Sequence, residues 1–304
     1  MKTKAKALLL MSGGLDSLLA ARILQNQGIF ITPICFKSFF FDCAVAQKTC
    51  QQLGLKLIEI DLSKKYLNIL KSPKYGFGSA MNPCIDCHLL MLKEAKKIMI
   101  KNNYDFIATG EVLGERPMSQ NQRALDLIEK QAKLTGYLLR PLSAKALPET
   151  IPEKQKIINR EKLCGIVGRS RKPQLQMVKD FGFKKFVSPG GGCILTDKNY
   201  SNNLKILLSV KKNPKENDFL LLKQGRVFWK NNILIVVARD KNESDNLKKI
   251  KEKKDLYLEP KNFSGPSVII RAFGKRNKKE IDILGKEYLL KFSKNIPPDY
   301  KIGN

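Results

Sequence analysis

Ser12-Gly13-Gly14-Leu15-Asp16-Ser17 sets two glycines, two hydroxyls and a carboxylate directly behind the short apolar run of residues 6–11. Glycines let backbone N–H groups come close to an anion. A helix opening at the same point adds the positive end of its dipole. The Gly-Lys-Ser/Thr ending of a Walker A loop is missing, so the expected cradle grips phosphate in another way.

Thiols form the second chemical group. Cys84 and Cys87 stand at Cys-x-x-Cys spacing in "AMNPCIDCHLLMLKEA", where a helix begins, and Cys193 follows three glycines in "SPGGGCILTD". Placement at a helix N-terminus favours thiolate. Three thiolates can hold three irons of a [4Fe–4S] cluster and leave the fourth open to carry a sulfide. A disulfide relay between Cys193 and one of the pair is the alternative. A closed zinc site needs four ligands, and His88, the single histidine, adjoins Cys87, which makes joint ligation awkward. Thiols that merely pack are the remaining reading. Cys35, Cys43, Cys50 and Cys164 are expected in the core.

These groups need elements to position them. Residues 6–11 read as a buried strand, 15–26 as a helix and 29–36 as a second strand. "DCAVAQKTCQQLG" reads as a helix closed by Gly54, "LKLIEIDL" as a strand, "MLKEAKKIMIKNN" as a helix and "YDFIATG" as the next strand. Strands alternating with helices predict an α/β fold, a parallel sheet with helices on both faces. The turns at Gly13, Phe36 and Gly110 then open toward one edge, where such sheets bind ligands. The texture changes near residue 205. Strand-like runs at 218–222, 226–229 and 232–238, a Lys-rich helix over 242–254, "SVIIRAFG" and a Lys-rich tail predict a small α+β domain over 205–304, after a first domain over 1–204.

Fifty-six Lys and Arg against 28 Asp and Glu give a formal charge of +28, which points to a polyanionic partner, nucleic acid first. No stretch is long and apolar enough to span a membrane, and the first apolar run is too short for a signal-peptide core. A cytoplasmic, reducing setting is expected, in which close cysteines suggest metal or catalysis. "GIVGRSRKPQ" offers Arg169, Arg171 and Lys172 in a glycine-containing loop before a helix, and these are expected to contact RNA phosphates.

Ser-Gly-Gly-x-Asp-Ser matches the PP-loop of the ATP pyrophosphatase superfamily. Together with "NPCIDCHLLMLKEA", "IATGEVLGERPMSQN", "GRSRKPQLQMVKDFG" and "PGGGCILTD", it makes residues 5–200 resemble tRNA thiolation enzymes: the catalytic part of tRNA 4-thiouridine synthetase and the tRNA 2-thiouridylases. The resemblance implies an adenine nucleotide alpha hydrolase-like domain that adenylates a uracil carbonyl oxygen and replaces it with sulfur, releasing AMP and pyrophosphate. It implies that Ser12, Gly13, Gly14, Asp16 and Ser17 bind the phosphates of ATP, with Asp16 also placing Mg²⁺. Thr109, Gly110 and Glu111 would line the nucleotide pocket, with Gly114 and Ser119 in the same segment. Cys84, Cys87 and Cys193 would hold the cluster or act as the relay.

The N-terminal tRNA-binding modules and the rhodanese domain of such enzymes find no counterpart in the sequence. Sulfide, or a persulfide carrier such as a cysteine desulfurase, is then the expected donor. Residues from about 205 resemble the RNA-binding domain of NFACT proteins, around "LLLKQGRVFWKNNILIVVARDKNESDN". Two rivals stand beside this reading. A PP-loop ligase or amidotransferase acting on a small metabolite needs neither the thiols nor the basic second domain. An RNA-binding adaptor with a decayed nucleotide site does not need an intact glycine turn.

Overall fold

A computed structural model describes residues 5–186, 193–274 and 277–303. The chain divides into two compact units, Met1–Thr196 and Asp197–Asn304.

The first unit is built on β1 (Lys6–Leu10), β2 (Phe30–Lys37), β3 (Ile58–Asp61), β4 (Phe106–Thr109) and β5 (Leu138–Leu139). They form one parallel sheet in the order β3-β2-β1-β4-β5. Lys6 pairs with Phe30 on one side of β1, and Leu10 with Thr109 on the other. Helices α1 (Leu15–Asn26), α2 (Ala44–Leu53), α3 (Ser63–Lys71), α4 (Cys84–Lys101), α5 (Gln122–Ala132), α6 (Ile151–Lys154) and α7 (Lys172–Asp180) surround it. Alternation along β1 shows why both faces are covered. Ala7 and Leu9 pack with Leu18, Leu19, Cys50 and Val178 in one core, whereas Leu8 packs with Leu89, Leu92, Ile128 and Leu138 in another. The chain moves from β1 outward to β3 and returns to β4 on the opposite side. The crevice between the carboxyl ends of β1 and β4 is therefore the topological switch point, where open α/β sheets bind ligands.

The second unit comprises α8 (Lys198–Val210), α9 (Glu216–Leu221), β6 (Arg226–Lys230), β7 (Ile233–Val237), α10 (Lys241–Ile250), β8 (Leu256–Pro260), β9 (Val268–Ala272), α11 (Lys278–Lys291) and β10 (Ile302–Gly303). Its sheet is antiparallel, in the order β10-β8-β9-β7-β6. Ile235, Val268 and Ile270 pack against Leu284 and Leu289 of α11. Arg271 is buried between Asp218, at 2.9 Å, and Asp255, at 2.6 Å. The unit begins ahead of residue 205, because α8 belongs to it. The expected strand at 218–222 is instead the helix α9. Asp218 accepts a hydrogen bond from the Lys215 backbone N–H at 2.6 Å and caps a run too short for its apolar pattern to separate strand from helix.

Candidate functional site

The glycine turn closes on itself before it meets any ligand. Ser12 Oγ lies 3.2 Å from Ser17 Oγ and accepts from the Gly14 N–H at 3.3 Å, and Ser17 Oγ donates to the Gly14 carbonyl at 2.9 Å. Gly13 has φ +80°, and a Cβ there would stand 2.5 Å from the Ala46 nitrogen. Glycine is needed on both counts, since the left-handed backbone presses against the first turn of α2. Thr49 Oγ1 of α2 donates to the Gly13 carbonyl at 2.9 Å and fixes that contact.

Thr109-Gly110-Glu111 follows β4 and packs on the same place. A Cβ on Gly110 would sit 2.6 Å from the Ser17 nitrogen, so the segment lies directly on the start of α1. Thr109 Oγ1 donates to Glu111 Oε2 at 3.0 Å, and Arg140 Nε donates to the same oxygen at 3.1 Å. Arg140 also holds Glu129 at 2.8 Å. His88 Nδ1 stands 2.7 Å from Glu111 Oε1. Burial alone would push the Glu111 carboxyl up. The Arg140 guanidinium and the His88 hydrogen bond outweigh it and hold that carboxyl at about 2. His88 thus clamps the start of α4 to the segment after β4.

The clamp brings the thiols of α4 to the edge that carries the glycine turn. Cys84, Cys87 and Cys193 are half-buried and close enough for their charges to act on one another. Burial pushes the Cys87 thiol up, while a hydrogen bond with the Tyr66 hydroxyl opposes that shift. Tyr66 is itself buried, and its hydroxyl is pushed up by burial and by the neighbouring Cys87 and Cys193. Among the described residues no three His, Cys, Asp or Glu side chains are arranged to hold a metal ion. The expected cluster therefore finds no ligand set there. The three glycines before Cys193 lie outside the described residues.

Arg171 departs most from expectation. Its NH1 lies 2.6 Å from Asp16 Oδ2, and its NH2 lies 2.5 Å from Glu115 Oε1. Gln174 Nε2, one turn along α7, donates to Asp16 Oδ1 at 3.3 Å. Burial and the Asp16 charge push the Glu115 carboxyl up, against the pull of Arg171. The loop is pinned in place: the Gly168 N–H donates to the Leu113 carbonyl at 2.7 Å, and Ser143 Oγ donates to the Ile166 carbonyl at 2.7 Å. Gly114 packs against Gly168, and Ser119 is buried in the same segment. Arg169 and Lys172 are exposed, as an RNA contact requires.

Tyr66, Glu115, Arg140 and Gln174 carry no local signature in the sequence. Each is defined by a buried polar partner remote along the chain, as Arg171 is by Asp16, 155 positions away.

Residues 5–158 match the family described as tRNA methyl transferase HUP domain. The chain belongs to this family. Beyond its HUP domain, residues 225–296 match the NFACT protein RNA binding domain. Similar proteins include the tRNA-specific 2-thiouridylase MnmA of Karelsulcia muelleri, 31% identical over 134 residues, covering 40% of this chain and 35% of that protein. The tRNA-specific 2-thiouridylase MnmA of Mannheimia succiniciproducens is 30% identical over 168 residues, covering 49% and 42%. The chain thus spans less than half the length of these two relatives. Among solved structures, a 4-thiouridine synthetase–RNA complex with bound ATP aligns at 25% identity with a TM-score of 0.39, covering 58% of this chain and 51% of that one.

Proposed function

We propose that this protein is an ATP-dependent tRNA uridine sulfurtransferase. The observation that carries the reading is the His88–Glu111 contact at 2.7 Å. It sets the thiol-bearing turn of α4 beside the segment that packs on Asp16 and Ser17, so a nucleophile and an anion cradle share one sheet edge. The thiouridylase relatives and the match to an RNA-binding domain support the same reading.

In this reading Ser12, Gly13, Gly14 and Ser17 grip the β,γ-phosphates of Mg-ATP, and Asp16 orients the metal–nucleotide complex. A uracil carbonyl oxygen attacks the α-phosphorus, and pyrophosphate leaves. The terminal sulfur of a persulfide carried on Cys87 or Cys193 then bonds to the activated carbon, and the C–O bond breaks to release AMP. The other thiol cleaves the persulfide S–S bond, leaving a disulfide that an external thiol must reduce. Adenylation supplies the leaving group, and the persulfide supplies a soft nucleophile at neutral pH. A persulfide carrier hands its outer sulfur to the thiolate directly, whereas sulfide enters by attacking the Cys87–Cys193 disulfide, whose S–S bond breaks to give the persulfide and a free thiol. Exposed Arg169 and Lys172, with the second unit, hold the tRNA backbone and give affinity without sequence choice. This chemistry belongs in a reducing cytoplasm.

Full-length protein is incubated with unmodified tRNA, Mg-ATP and a persulfide or sulfide donor. The RNA is then digested and its nucleosides identified by mass spectrometry. Thiouridine that appears only with ATP is the expected outcome, and its spectrum shows which carbonyl was exchanged. Absence of thiouridine with either donor, from anaerobically prepared protein with Cys84, Cys87 and Cys193 verified as reduced for the carrier, and Cys87 and Cys193 verified as the disulfide for sulfide, rejects sulfur transfer and returns the small-metabolite ligase.

A further inference from the structure

We propose that Arg171 is a residue of the nucleotide site and not of the RNA-contacting surface. Its fork holds Asp16 and Glu115 together before ATP binds and turns to the polyphosphate when ATP arrives. This deepens the proposed function, because it rests on the glycine turn binding ATP.

The turn from Ser12 to Ser17 contains no Lys or Arg, so its side chains bring no positive charge to a polyphosphate. The side chain that brings one is Arg171, delivered from the start of α7 by a loop fixed on both sides: at Leu113 by Gly168 and at Ser143 by Ile166. Its two arms point to two different carboxylates, at 2.6 and 2.5 Å. One guanidinium between two carboxylates leaves the group one negative charge in excess. Burial, and after it the Asp16 charge, push the Glu115 carboxyl up.

Two buried oxygens of this group, Glu115 Oε2 and Gln174 Oε1, have no hydrogen-bond partner, although both side chains are buried. Both atoms are acceptors, so it is a hydrogen-bond donor or a cation, and not a phosphate oxygen, that completes them. A planar guanidinium that already spans two anions can pair equally with two phosphate oxygens, which Lys cannot do in the same geometry. The loop therefore has two faces: Arg171 turns inward to the nucleotide, and Arg169 and Lys172 turn outward.

The test uses full-length Arg171→Met and Arg171→Lys beside wild type. Affinity for a non-hydrolysable ATP analogue is read by titration calorimetry, affinity for unmodified tRNA by fluorescence anisotropy, and pyrophosphate release in the presence of both substrates. The expected result is that Arg171→Met weakens the analogue by about 10- to 100-fold, the size of a lost charge-assisted pair, with tRNA affinity within about twofold of wild type. Arg171→Lys should restore part of the affinity, which a residue needed only for packing would not show. Unchanged analogue affinity in Arg171→Met, or a loss of tRNA affinity as large as the loss for the analogue, overturns the proposal. If Arg171→Met does not fold, Arg171→Lys decides alone: intact analogue affinity with weakened tRNA binding overturns it, and the reverse supports it. Wild type that binds the analogue but releases no pyrophosphate counts against sulfur transfer, while the analogue titrations still decide Arg171.

Discussion

Two groups of three cysteines occupy the first unit, and they differ in almost everything but their number. Cys35 on β2, Cys43 at the start of α2 and Cys50 within α2 are 5%, 3% and 1% exposed, and they belong to the apolar core under the sheet. They lie close together, since Cys43 and Cys50 both act on Cys35. Burial is the main cause that pushes each of these thiols up, Cys50 to about 11. Cys84, Cys87 and Cys193 are also neighbours, but they are half-buried, meet the Tyr66 hydroxyl and stand toward the carboxyl edge of the sheet. Proximity of thiols therefore does not by itself mark a candidate reactive site, and burial pushes Cys87 up as it does Cys35. Access and a place at the carboxyl edge of the sheet separate the two groups.

The largest expected effect breaks the comparison outright. Cys87→Ser and Cys193→Ser should each abolish thiouridine formation, whereas Cys35→Ala should retain it. Nucleoside mass spectrometry of treated tRNA reads all three, and activity surviving in Cys193→Ser would remove it from the relay.

Next comes the clamp that holds α4 at the edge, which the buried group lacks. Glu111 is held at about 2 in the folded protein, below its ordinary 4.5. Its contribution to stability is thus fully present above about 4.5 and is lost as pH falls toward 2. The difference corresponds to about 3 kcal/mol as an upper bound. Glu111→Gln should lower stability near neutral pH and flatten its fall between those pH values, measured by urea denaturation across the range. An unchanged acid profile would show that the clamp carries no such energy.

Alkylation sharpens the contrast further. At pH 8 in the folded protein, iodoacetamide should label Cys84 and Cys193 well before Cys50, whose raised pKa alone lowers its thiolate fraction by about 100-fold. Peptide mapping over time reads the order, and equal rates would erase the distinction. The smallest effect is on packing: Cys50→Ala should cost about 1 kcal/mol in denaturant unfolding with thiolation retained.

Much of the first unit was legible because its signals are local. The glycine turn follows a strand and opens α1, and Gly54 closes α2 in the left-handed conformation. The alternation of strand and helix predicts the parallel sheet. The two-residue β5 carries too few residues for a period to show. In the second unit β6 and β7 fall where expected, but α9 resembled a strand, and α11 was hidden in a Lys-rich tail.

At the site the residue types gave the glycine turn and the thiols, but not their partners. A basic residue beside glycines looks alike whether it turns to RNA or to Asp16. Only the fold distinguishes the two, because Glu115 and Asp16 approach Arg171 from distant parts of the chain.

The separation between Asp16 and Arg171 also has a consequence in time. The turn leaves the ribosome well before the side chain that balances its carboxylate, which follows 155 residues later. Closing so long a loop is among the slower events of folding. A nascent chain therefore carries Asp16 without its counter-ion until most of the first unit has been synthesised. ATP binding should mature late, as a property of the finished unit and not of the motif.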